Sequence, residues 1–199
     1  MASSNRLECG NFITGYWALM SEVALQLSDL LKKCRQAAEA AGQQWWAYAE
    51  PEQTSPCQYG EVVNEQVAWW PVFVQNPIDF SGLEHGLELE LHPDIKAYYN
   101  VAFGGGLKLQ HQRGPVELLM PWHQADTERL QQNIIGHVLM KRRLKQQVTI
   151  FFAVTDDEDL LLSVLNSTGE VYLERVGCEV KEKLAGSLTE FLQSLSLPA

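Results

Sequence analysis

Residues 126–176 constrain the fold more than any other stretch of this chain. Asp126 can cap a helix that Leu130, Ile134, His137 and Val138 carry along one stripe to about Lys145. Three strand-length runs follow: "VTIFFAV" (148–154), "LLLSVLN" (160–166) and "VYLERV" (171–176). Short turns join them, an acidic one at 156–159 and another at Asn166–Gly169. Consecutive strands with such short connections pair antiparallel, and the helix before them has to cover the sheet they form.

The remainder adds to the same architecture. Ser21 can cap a helix over 21–41, with Val23, Leu27, Leu30, Leu31, Cys34 and Ala38 at helical spacing and Gly42 ending it. Residues 43–61, aromatic and proline-marked, read as a long irregular connection, and "VAWWPVFV" (67–74) as an edge strand interrupted by Pro71. "FSGLEHGLELEL" (80–91) fits either a helix or a strand. "HPDIKAYYNVAF" (92–103) predicts a helix with Pro93 in its first turn and glycines 104–106 as its stop. "LKLQHQ" (107–112) and "VELLMPW" (116–122) predict a hairpin. A last helix would place Leu184, Leu188, Phe191, Leu192 and Leu195 on one face. The expected fold is a single α/β (α+β) domain over 20–199, a mixed, largely antiparallel sheet flanked by helices. Residues 1–19 read as a leader or extra N-terminal segment.

Composition bounds the function. No apolar run approaches the roughly 18 residues a membrane span needs, and four isolated cysteines without a CxxC pair fit a reducing compartment better than a disulfide framework. The net charge of −10 is concentrated: between Arg35 and Lys96 there are ten acids and no Lys or Arg, and the rest of the chain carries fifteen charges of each sign. Such a segment is either a solvated surface or a docking face for a basic partner, and in both cases it repels nucleic acid.

Candidates for chemistry are thin. The glycines 104–106 follow a helix and precede a strand, the reverse of a phosphate loop. His85, Glu88 and His92 could be assembled into a metal-dependent hydrolase only without a diagnostic ligand spacing. Asp156–Asp159 lacks the alternating ligands of a calcium loop, and no nucleophile elbow occurs. No catalytic, metal-ligating or cofactor-binding set is expected. Inside the helix ending at 145, His137 points inward as a core residue, and Gly136 implies a packing requirement. Lys141, Arg142, Arg143 and Lys145 suit the helix C-terminus and could touch anionic lipid headgroups.

Several segments taken together resemble one family. "LQQNIIGHVLMKRRLKQQVTIFFA" (130–153), "SVLNSTGEVYLERVG" (163–177), "SPCQYGE" (55–61), "LEHGLELELHPDIKAYYNVAFGG" (83–105) and "LAGSLTEFLQSL" (184–195) look like the signature of the SecY-interacting protein family called Syd. The resemblance implies a SUKH/Syd-like fold and a non-enzymatic cytoplasmic protein. It also implies that this protein associates peripherally with the bacterial inner membrane through SecY and checks translocon assembly. An acidic face would meet the basic cytoplasmic loops of SecY. Glu61, Glu84, Glu88 and Glu90 lie in the matching segments, and Glu65 joins them on charge grouping. A toxin-neutralising immunity protein of the same superfamily is the alternative.

Overall fold

The computed structural model describes residues 21–49 and 54–198; the leader expected at 1–19 lies outside them. Helix α1 (Glu22–Ala40) begins where Ser21 accepts a 3.0 Å hydrogen bond from the Ala24 N–H, and its predicted stripe is buried. It ends where Gly42 turns left-handed at φ 65°.

Six strands form the main sheet: β6 (Leu107–His111), β7 (Gly114–Leu118), β8 (Thr149–Thr155), β9 (Leu160–Leu165), β10 (Val171–Arg175) and β11 (Glu182–Ala185). They lie in chain order, and every pairing is antiparallel. Helix α4 (Asp126–Arg143) connects β7 to β8 and packs on one face, where the His137 ring meets Phe151 edge-on. Phe152, on the opposite face, meets Tyr98 of α3 (Pro93–Tyr99) and Phe191 of α5 (Leu188–Gln193). Both Tyr98 and Tyr99 hydroxyls donate to main-chain carbonyls of the sheet layer, and α1 packs behind α3 and α5.

A second, smaller sheet carries β1 (Trp45–Tyr48), β3 (Gln66–Trp69) and β2 (Gln58–Val63), in that spatial order. The connection expected at 43–61 therefore holds two strands, and β3 is a central strand rather than an edge. Pro71 does separate it from β4 (Val72–Phe73), which pairs with β5 (Ala102–Phe103). Asn64 and Glu65 both have positive φ, making the tight β2–β3 hairpin turn. Helix α2 (Ser81–Leu87) resolves the ambiguous 80–91 segment.

The glycine triplet has a different role from the expected helix stop. Helix α3 already ends at Asn100. A Cβ on Gly104 would lie 2.8 Å from the Trp69 ring, and one on Gly105 would lie 2.7 Å from Ala47 Cβ. Gly104 and Gly105 let β1 and β3 approach the main sheet, while Gly106 turns left-handed at φ 91° against the Glu117 side chain. Two further expectations change. Asp126 is the first helical residue and accepts from the Trp122 N–H instead of capping, and Leu184 belongs to β11. Gly136 faces open space, so no packing requirement explains it.

Helix α4 is fastened to the sheet by a buried ionic cluster. Lys141 and Glu174 have no exposed side-chain surface, with Lys141 Nζ 3.0 Å from Glu174 Oε1. The other carboxylate oxygen accepts from Thr149 and Ser163 hydroxyls, both at 2.6 Å, and Lys141 also donates to the Cys178 carbonyl. Thr149 spends its only hydrogen on Glu174, so its 2.9 Å contact with His137 Nε2 makes that nitrogen the donor. The inward orientation read for His137 holds. Lys141, by contrast, is unavailable to lipid, because the stripe of Ile134, His137 and Val138 continues through it into the core.

Two outcomes follow from this cluster. Lys141→Met leaves the Glu174 charge buried without its cation and lowers urea-unfolding stability by about 3–5 kcal/mol; a loss below about 1 kcal/mol would contradict the buried pair. Burial pushes the His137 imidazole below its ordinary pKa of 6.5; Glu174 raises it and Lys141 lowers it further. The unfolded chain therefore takes up a proton near pH 6.5 that the folded chain refuses. This contribution is complete above that pH and is lost as pH falls from it toward the lowered folded value. The urea midpoint of His137→Gln should accordingly drop less than that of wild type between about pH 7 and pH 5. Parallel drops would refute it.

Candidate protein-docking surface

The acids of 36–95 fall on two parts of the fold. Glu61 lies in β2 and Glu65 in the β2–β3 turn, both exposed. Glu84, Glu88 and Glu90 lie in α2 and the segment behind it. Glu88 ends α2 in the left-handed conformation and is exposed, which points its carboxylate outward.

Lys96, which the sequence reading did not single out, divides this second group. Its ammonium sits 2.9 Å from Glu84 and 3.8 Å from Glu90. Glu84 also accepts from the Leu91 N–H at 2.8 Å, so it ties the turn after α2 to α3 and is engaged within the fold. Glu90 keeps 87% of its side chain exposed, and such a contact is worth little in water. Of the other acids, Glu39 pairs with Arg35, and Asp94 sits 3.9 Å from His92. Asp79 is exposed, its carboxyl held below the usual range by hydrogen bonds from Ser81. Glu50 and Glu52 lie outside the described residues. Glu61, Glu65, Asp79 and Glu88 thus form no ion pair among the described residues.

The small sheet is two-faced. Trp45, Ala47, Val67 and Trp69 pack into a second core with Cys57, Phe103 and Trp122. On the reverse face, register aligns Trp46, Ala68 and Tyr59 in one row and Tyr48, Gln66 and Val63 in the next. Trp46, Tyr48 and Val63 are 46%, 61% and 52% exposed. Alternation within "WWAY" was the available signal for this face, obscured by two adjacent tryptophans.

The histidines weighed from the sequence do not converge. His85 is exposed on α2, while His92 caps α3 by accepting from the Asp94 N–H, so the two do not share a site with Glu88. Among the described residues no three His, Cys, Asp or Glu side chains converge enough to hold a metal ion. A cleft of about 750 Å³ opens between α1, β1 and the start of β6, lined by Cys34, Trp46 and Lys108 among others. Burial pushes the Cys34 thiol up to about 11, which keeps it protonated. No helix among the described residues is long and apolar enough to cross a membrane.

Comparison with known proteins decides the family. The family model described as Syd protein (SUKH-2) matches residues 24–197. The chain belongs to the Syd family. It is 44% identical over 151 residues to the Protein Syd of Colwellia psychrerythraea, covering 71% of this chain and 76% of that one. The Protein Syd of Alteromonas mediterranea is 45% identical over 149 residues, covering 74% and 82%. That of Shewanella frigidimarina is 47% identical over 133, covering 67% and 62%. These likenesses do not favour the immunity-protein alternative.

Proposed function

We propose that this Syd-family protein is a non-catalytic binder of SecY, working at the cytoplasmic face of the inner membrane and monitoring translocon assembly. The observation that carries the reading is a segment of one sign: ten acids without a base between Arg35 and Lys96, of which Glu61, Glu65, Asp79 and Glu88 are exposed and form no ion pair among the described residues. Cytoplasmic loops of membrane proteins are enriched in Lys and Arg, so SecY presents the complementary charge. Complementary fields speed encounter and make it sensitive to salt. Glu61, Glu65, Glu88 and Glu90 are the proposed contacts. Glu84, proposed with them from sequence, acts through the fold by holding Lys96 and the Leu91 amide.

The test is capture of detergent-solubilised SecYEG at low and high salt. Exposed pairs contribute about 0.2–1 kcal/mol each, so changing these four acids to Gln, with Glu84 kept, should weaken low-salt binding roughly tenfold or more. Wild-type protein that ignores SecYEG at both salt concentrations would remove the reading.

A weaker contact with anionic lipid is proposed at the end of α4. Arg142, Arg143 and Lys145 are exposed and form no ion pair among the described residues, and Leu139 and Leu144 are exposed beside them. Each cation close to an anionic surface contributes about 1 kcal/mol. Changing the three cations to Gln should abolish low-salt flotation with phosphatidylglycerol-containing vesicles. Flotation with pure phosphatidylcholine, or flotation that survives the substitutions, would refute this contact.

A further inference from the structure

The uncovered face of the small sheet demands an occupant. Its large side chains project from short paired strands whose other face is locked into the second core, so Trp46 and Tyr48 are held in place before any partner arrives. Trp and Tyr offer much contact area for few rotatable bonds and dominate binding energy at protein interfaces. Val62 is also exposed, at 56%, beside Val63.

The border of this face selects among occupants. Glu61 and Glu65 flank the valines, and at the opposite end, where Trp46 lines the cleft beside α1, Lys108 stands together with Glu117. Arg35 reaches the vicinity from α1, lying over the Trp70 ring that stacks on Tyr59, but Glu39 neutralises it. Anionic lipid would be repelled at the valine end of this face, where Glu61 and Glu65 stand without a cation. A second copy docked through the same face would set carboxylates against carboxylates. Strand addition along β2 is hindered as well, because the register shifts between Tyr59 and Val63 and Gly60 turns to φ 73°.

We infer that the outer face of β1–β3–β2 binds a polypeptide loop in which cationic residues are interleaved with bulky apolar ones. Its apolar groups rest on Trp46, Tyr48 and Val63, and its cations meet Glu61 and Glu65. This rests on the partner-binding reading above and names the part of the surface that resists salt. The acids set the rate and salt dependence of association, and the aromatic pair slows dissociation.

Two probes test it. Synthetic Lys–Leu and Lys–Ser peptides of equal charge are titrated into wild type and into Trp46→Ser/Tyr48→Ser, whose circular-dichroism spectrum and cooperative melt are checked against wild type because Trp46 is only 46% exposed. The Lys–Leu peptide should bind wild type at least tenfold more tightly, and the preference should vanish in the variant. Trp46→Phe, which keeps the apolar ring, should retain most of it and so guards against a folding artefact. Equal affinity for the two peptides, or a preference untouched by the double substitution, overturns the inference. So does a wild-type dimer in sedimentation that the double substitution dissolves, since the occupant would then be a second copy. With SecYEG as the probe, the double variant should lose about tenfold in affinity while its salt dependence stays as in wild type. If SecYEG binds neither protein, the SecY reading fails, and the peptide titration still decides the surface.

Discussion

The Glu174 carboxylate is the point on which the main sheet and its covering helix agree. It stands on β10 and gathers a hydroxyl from β8, a hydroxyl from β9 and an ammonium from α4. Three neighbouring strands and the helix crossing them therefore share one acceptor group. A slip of one residue in any of those strands would turn its contributor to the opposite face and leave a charge or hydroxyl stranded in the core. Desolvation offsets much of the attraction within such a pair, so its consequence is registry more than net stability. The same ammonium donates to the Cys178 carbonyl, and Gln146 donates to that of Gly177. The turn after β10 is thereby fixed against the end of α4.

That arrangement also sorts charge over the surface. By drawing Lys141 inward, the cluster leaves Arg142, Arg143 and Lys145 as the exposed cations at the helix end. The exposed acids without an ion pair among 36–95, Glu61, Glu65, Asp79 and Glu88, lie on a different part of the fold, the small sheet and the α2 region, which the chain builds between α1 and α3. A protein of this size with opposite charges on separate units orients in the field of a charged partner before contact.

How far these features were legible depended on whether periodicity or tertiary pairing created them. Residues Val23–Ala38 and strands β8–β10 announced themselves, since each buries one face and repeats at 3.6 or near-continuous apolar spacing. The inward direction of His137 followed from the same stripe. So should the burial of Lys141, which stands four residues beyond His137 on that stripe; its place among other cations suggested solvent instead. Strand β1 was hidden because Trp45 and Trp46 are equally aromatic, although they face opposite sides of the sheet. Strand β11 is too short and polar to show a pattern. The glycines 104–106 read as a helix stop because only the folded structure brings Trp69 and Ala47 against Gly104 and Gly105, and Glu117 against Gly106. At the site, the absence of bases from 36–95 was plain in the sequence. Which acids are free was not, because Lys96 reaches Glu84 across twelve residues.

An acidic surface alone would make a fast but undiscriminating binder, since any Lys-rich chain satisfies it and each exposed pair contributes little. Discrimination needs a contact that a merely basic chain cannot fulfil. A rigid aromatic face bordered by carboxylates supplies that second condition: the partner must place apolar bulk and positive charge at neighbouring positions. Strand β1 suits this because Trp45 and Ala47 anchor it in the second core while Trp46 and Tyr48, at alternate positions, point outward. Their orientation is set during folding, so little conformational entropy is lost when the partner arrives. The close packing that Gly104 and Gly105 permit is thus upstream of recognition. It seats the small sheet firmly enough that its outer face can act as a preformed surface.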